Sequence, residues 1–178
     1  RARIVLSLYK WGSEVDVTNS NNETPILLAT RHYHMTTVRA LRDECHANTM
    51  IWDTNGDTIM HYLANSGHNK EIIEFYRLGM PLNMPNFKGK QPVHIAVNHP
   101  DTIETLGKLG ADIYALTKDG KTVFDLMREK YSNFRMKRFE VDDIEARIRK
   151  AIRSGDLKKI ASKKLKYRPI EGGWSYES

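Results

Sequence analysis

Seven histidines and a single cysteine are where chemistry would have to begin in this chain of 178 residues. His32, His34, Cys45 and His46 are ligand types for zinc, but their spacing matches no zinc pattern, which pairs ligands a few residues apart. Cys45 and His46 are also a nucleophile and a base by type. Neighbours at i and i+1 point away from each other on a helix, so they cannot form a working pair there. The chain holds no nucleophile elbow, no HExxH, no phosphate loop and no dinucleotide glycine signature. The expectation is therefore no catalytic residue, no metal, no cofactor and no small-molecule substrate. Of the other four histidines, two share a position: His61 and His94. Each stands three residues after a polar residue, Thr58 and Gln91, at the front of an apolar segment.

Those segments recur. "NETPILLATRHYH", "GDTIMHYLANSGH", "GKQPVHIAVNHPD" and "GKTVFDLMREKYS" share a polar lead, a Thr or Gln, and an apolar run. The anchors Thr24, Thr58, Gln91 and Thr122 are 34, 33 and 31 residues apart. Gly12, Gly79 and Gly110 close a second kind of segment, seen in "LYKWGSEVDV" and "LGKLGADIYA". Glycine tolerates the left-handed backbone that ends a helix. A period near 33 residues in which each unit carries two short apolar segments predicts a stack of helical pairs. Pro25 fits the first turn of a helix, where its missing N–H has no intrahelical partner, and Thr24 before it can cap with its hydroxyl. Leu28 and Ala29 should then face the core.

This pattern resembles the ankyrin repeat family, whose units open D-x-x-G-x-T-P-L-H-x-A. The matches are Thr24-Pro25-Ile26-Leu27-Leu28-Ala29, Asp53 to Ala64, Asn86 to Ala96 and Asp119 to Leu126, within about residues 4–130. The resemblance implies an all-α solenoid of helix-turn-helix units joined by hairpin loops. It implies that His61 and His94 hydrogen-bond the turn backbone and the next unit. Departures are visible: Ile59 and Val123 replace proline, while Leu27 and Asp125 replace histidine. "RDECHANTMIW" lacks Gly-Ala-Asp and predicts an irregular hairpin. Pro100 falls where the inter-helix turn belongs. Residues 4–17 look like the second half of a unit, so an upstream half is expected.

After about Ser132 the rhythm fails. The domains read as repeats over 1–132, a basic helical cap or degenerate repeat over 133–168, and an extended tail over 169–178. One helix is expected from about Asp142 to Ser154, with Ile144, Ile148, Ala151 and Ile152 as its stripe, and a second with Leu157, Ile160, Ala161 and Leu165. A closing unit of a repeat stack needs a polar outer face. Residues 137–168 carry a net +7, the last ten residues −2 and all the rest only +1. An acidic surface or anionic lipid is thus a possible partner for residues 147–166.

In a repeat stack the apolar positions are committed to neighbours, which leaves surface for function. Carrying the family's exposed hairpin and inner-helix positions onto this chain gives Ser20, Asn21, Glu23, Arg31 and His32, then Trp52, Thr54, Asn55, Asp57, Asn65 and Ser66. The third unit adds Pro85, Phe87, Lys88, Lys90, Asn98 and His99, and the fourth Leu116, Lys118, Asp119 and Lys121. Trp52 and Phe87 are large aromatics at hairpin tips and read as interface anchors. The expected function is binding of a partner protein by a monomeric, non-enzymatic module of a larger intracellular protein or effector. The lone cysteine fits the cytoplasm, or a host cytoplasm for a secreted effector. Alternatives are docking to membrane or nucleic acid by the basic helices, or targeting of an enzyme encoded outside this stretch.

Overall fold

The computed structural model describes residues 2–132, 138–154, 166–170 and 173–177. The helices are α1 (Ala2–Lys10), α2 (Pro25–Arg31), α3 (Met35–Asp43), α4 (Ile59–Asn65), α5 (Asn69–Arg77), α6 (Pro92–Ile95), α7 (Pro100–Lys108), α8 (Val123–Tyr131) and α9 (Arg138–Ser154). They form two rows. The inner row α2, α4, α6 and α8 packs in chain order, and α1 on α3, α5 on α7 and α7 on α9 build the outer row. One continuous core runs between the rows, with Ile26, Met60, Phe75, Leu106 and Phe124 fully buried. This is the all-α solenoid that the repeats imply.

The unit boundaries explain the uneven period. A left-handed residue follows α1, α3, α5 and α7: Gly12, His46, Gly79 and Gly110 all have positive φ. From each of them to the next anchor (Thr24, Thr58, Gln91, Thr122) is 12 residues. The hairpin after α3 is therefore regular in length, contrary to the expectation. His46, at φ 55°, takes the glycine's place at the cost of a strained backbone. The variation lies between the helices. In the third unit α6 has four residues and continues as a single 3-10 turn, Ala96–Asn98, and Pro100 is the first residue of α7. Proline there cannot continue α6 but is well placed to start α7.

Helix starts also depart from expectation. In the last three units the third residue of the inner helix reaches back to the anchor's N–H: His61 to Thr58, His94 to Gln91, Asp125 to Thr122, at 3.0–3.1 Å. Leu27 has no polar atom to do so, and the Thr24 hydroxyl makes no capping bond. Leu28 does not face the core either. Ile26, Leu27, Ala29 and Thr30 are the buried residues of α2, and Leu28 is 37% exposed on the inner face.

Beyond the fourth inner helix, α9 packs on both α8 and α7. It stands where the second helix of a fourth unit belongs. Val141 and Ile148 are fully covered, and Ile144 and Ile152 are half-buried. Gly107 of α7 leaves room for Ile152, which would collide with any Cβ there. Arg128 of α8 bonds Asp142 at 2.7 Å and Glu145 at 2.8 Å, pinning the two helices. The expected second closing helix, with Leu157, Ile160, Ala161 and Leu165, lies outside the described residues. The last ten residues are extended in large part, but not alone. β1 (Lys166–Ile170) pairs antiparallel with β2 (Gly173–Glu177), so Lys166, Tyr167 and Arg168 are strand rather than helix.

Candidate interaction surface

The hairpin tips are built by one device used four times. Asn19, Asp53, Asn86 and Thr117 each donate their backbone N–H to the carbonyl four residues on, at 2.8–3.1 Å. In the first three their side-chain oxygen accepts two further N–H groups: Asn19 from Asn21 and Glu23, Asp53 from Asn55 and Asp57, Asn86 from Lys88 and Lys90. Thr117 accepts one, from Lys121. A short oxygen side chain closing its own turn is why Asn, Asp and Thr recur there. The residue after the crest is left-handed each time: Asn22, Gly56, Gly89 and Gly120.

Adjacent tips are tied into a ridge. Thr54 donates its N–H to the Asn21 carbonyl at 3.0 Å, and Phe87 to the Asn55 carbonyl at 2.9 Å. Asn22 Nδ2 donates to the Trp52 carbonyl and Asn86 Nδ2 to Asp57 Oδ1. Lys118 Nζ donates to the Phe87 carbonyl at 2.7 Å. Beneath the ridge, His61 Nε2–H donates to the Lys90 carbonyl and His94 Nε2–H to the Ala115 carbonyl. Both rings accept from the turn on Nδ1 and are neutral. Burial lowers both pKa values below the usual 6.5. The two histidines thus hold the structural place that the resemblance implied.

The residues singled out in the sequence fall on two edges, separated by the inner helices. A seven-residue helix puts those edges about 10 Å apart. On the tip edge lie Asn55, Asp57, Phe87, Lys88, Lys90, Lys118 and Lys121. Phe87 is 59% exposed, and Trp52 is half-buried beside the Thr58 bridge rather than standing free. Lys121 pairs with Glu129 at 2.6 Å. On the opposite edge lie Arg31, His32, Asn65 and Ser66, all exposed. Two assignments change, one at the first tip and one on the opposite edge. Glu23 is buried and paired with Arg31 at 2.9 Å. His99 is half-buried and spans units, its Nε2–H donating to the Asn65 carbonyl at 3.0 Å. His32 lies near His34 and Cys45 is buried, and no group of three or more His, Cys, Asp and Glu gathers for a metal among the described residues.

Between the edges runs a row that the sequence reading passed over. Leu28, Tyr62, Ile95 and Leu126 each stand four residues after an anchor and share one face of the inner helices. All four retain exposure, while their neighbours toward the core are buried. The Tyr62 hydroxyl donates to Asp53 Oδ2 at 2.8 Å, and burial followed by that carboxylate raises its pKa. The register position could have revealed the row. Trp11, 81% exposed at the end of α1, was also missed, and no partner signal in the sequence marks it.

The ankyrin repeats family model, three copies, matches residues 1–75. Among curated relatives, the transcription factor MBP1 of Saccharomyces cerevisiae is 24% identical over 148 residues, covering 72% of this chain and 18% of the factor. The nuclear factor NF-kappa-B p100 subunit of Gallus gallus is 31% identical over 85 residues, 43% of this chain and 9% of the subunit. The chain therefore spans under a fifth of either relative.

Proposed function

The chain belongs to the ankyrin repeat family, a family of protein-interaction modules, and we propose that it binds a partner protein across the inner helices and the tip ridge. One observation carries this reading. Leu28, Tyr62, Ile95 and Leu126 repeat a large, mainly apolar side chain at one register position and leave it exposed or half-buried, while Ile26, Met60, Val93 and Phe124 in the same helices are covered. A partly open apolar row with polar edges on both sides has the anatomy of an interface core and rim. The ridge that flanks it is hydrogen-bonded from tip to tip, so little order has to be gained on binding, which lowers the entropic cost. The module would work as part of a larger assembly or protein, as it spans only a small share of the relatives it matches.

The test is affinity purification with mass spectrometry on the wild-type chain, on Leu28→Asp with Ile95→Asp, and on Trp52→Ala with Phe87→Ala. A partner held by the wild type and lost by the first pair, with the melting temperature within a few degrees, supports the face. A partner kept by that pair sinks it. Docking of α9 to an acidic surface or anionic lipid is the weaker reading. Arg149 is drawn into a pair with Glu145 at 3.0 Å and Arg147 into one with Asp101 at 3.3 Å, which leaves less free charge than the composition suggests.

A further inference from the structure

The four tips are alike in backbone and unlike in charge. At corresponding positions the first two carry Ser20, Asn21, Thr54, Asn55 and Asp57, and the last two carry Phe87, Lys88, Lys90, Lys118, Asp119 and Lys121. The positive charge of the ridge thus sits on one half of it. Lys118 keeps two ammonium hydrogens beyond the one given to the Phe87 carbonyl, and the Lys121–Glu129 pair is exposed on both sides and easily exchanged.

Two exposed apolar side chains share this half of the ridge. Leu116, just before the fourth tip, is 61% exposed, and Phe87 is exposed while held at three points. The Phe87 N–H is bonded to Asn55 and its carbonyl to Lys118. Its ring lies against Gly56, where an added Cβ would come within 2.9 Å of the ring carbon Cδ1. A ring fixed on its inner side and open on its outer side is a preorganised anchor, since binding would freeze no rotamer.

We propose that the third and fourth tips bind an acidic protein segment that places a bulky apolar side chain between Phe87 and Leu116. This names the partner class within the protein-binding reading and rests on it. Charge complementarity selects the segment: Lys88, Lys90, Lys118 and Lys121 lie on the same two tips as the anchors, with Asp119 as the one acid there. The acid-bearing second tip, with Asp57, would repel the same segment and so set its position along the ridge.

The test uses a fluorescein-labelled peptide of Asp and Glu with a leucine pair at its centre. Controls replace the leucines by serine, or the acids by glutamine. Anisotropy is read at low and physiological salt. The acidic leucine peptide should bind, and both controls should lose about tenfold or more. Phe87→Ala and Leu116→Ser should each weaken binding at both salts. Lys88→Glu with Lys118→Glu should weaken it chiefly at low salt. The proposal is overturned if the glutamine peptide binds as well, or if Phe87→Ala has no effect at an unchanged melting temperature. It also falls if the chain ignores every peptide but sediments with phosphatidylserine vesicles in a Phe87-dependent way. A chain that ignores these peptides and still captures a partner through Leu28 and Ile95 would overturn this inference alone and leave the wider function standing.

Discussion

His61 and His94 put a titratable ring under each of two inter-unit joints. Each must stay neutral, because Nδ1 accepts from the anchor N–H while Nε2–H donates across to the next unit. Burial depresses both pKa values, and it lowers that of His68 as well. The unfolded chain then binds more protons than the folded one once pH falls below about 6.5, so stability declines with falling pH. Urea titrations at stepped pH should show the midpoint constant above neutrality and falling between about pH 6.5 and 5. Asp43, Glu74 and Asp125 have lowered pKa values, mainly from bonds to Arg42, Arg39 and Thr122, and their contribution is lost only at lower pH. His61→Asn should cost about 1–3 kcal/mol at pH 7, through unmade buried hydrogen bonds, and should flatten the upper part of the profile. An unchanged profile in that variant would remove the histidines as its cause. A side chain three residues into a helix start does meet the anchor, and the capping role of these rings was legible through the resemblance, which implied it for a histidine at this place in the unit. The exposure of Leu28 was not. The run Ile26 to Ala29 is apolar throughout, and only the position of the neighbouring helices decides which member faces inward.

Each element is legible to the extent that its signal is local. Tips, anchors and left-handed stops are set by single residue types, and they come through the sequence in register. His46 was overlooked because a non-glycine residue in that conformation carries no compositional mark. The place of α9 was hidden for a different reason. The stretch between α8 and α9 breaks the period, so a helix that stands as the second of the fourth unit reads as a basic cap or degenerate repeat. Its docking makes a prediction. Gly107 faces Ile152 and Ile113 so closely that a side chain there must push α9 outward. Gly107→Ala gains up to about 1 kcal/mol of helix propensity, but its Cβ would collide with Ile152 Cδ1, stand 2.9 Å from Ile113 Cγ2 and crowd Ile152 Cγ1, so it should be destabilising overall. Gly107→Val adds two more methyl groups to the same collision. It should cost about 1–3 kcal/mol of overpacking, and amide exchange should rise in α9 before it rises in α4 or α5. If protection in α9 survives Gly107→Val unchanged, the helix is not seated on α7 as described.

At the scale of the whole stack, one interface is repeated, and among the described residues α1 has no buried side chain. In repeat arrays each unit contacts only its neighbours, so the cost of a substitution depends on which neighbours are present. Leu8, Phe75 and Leu106 each stand four residues before a left-handed glycine, Gly12, Gly79 and Gly110. They occupy one register position in three outer helices. Phe75 and Leu106 are fully buried: α4 packs on α5 and α6 on α7, Arg42 of α3 lies 5.4 Å over the Phe75 ring, and α5 packs on α7. Among the described residues neither cover is present over Leu8, which is 45% exposed, as Ile4 in α1 and Trp11 just after it are exposed too. Leu8→Ala and Leu106→Ala delete the same atoms from the same position. The second should cost about 2–5 kcal/mol through lost burial and a residual cavity, and the first well under about 1 kcal/mol. Chemical denaturation of the two variants decides it. Equal costs would mean that α1 is covered in solution, by a second copy or another segment. In that case the Leu8→Ala difference should depend on protein concentration if the cover is a second copy, and be independent of it otherwise.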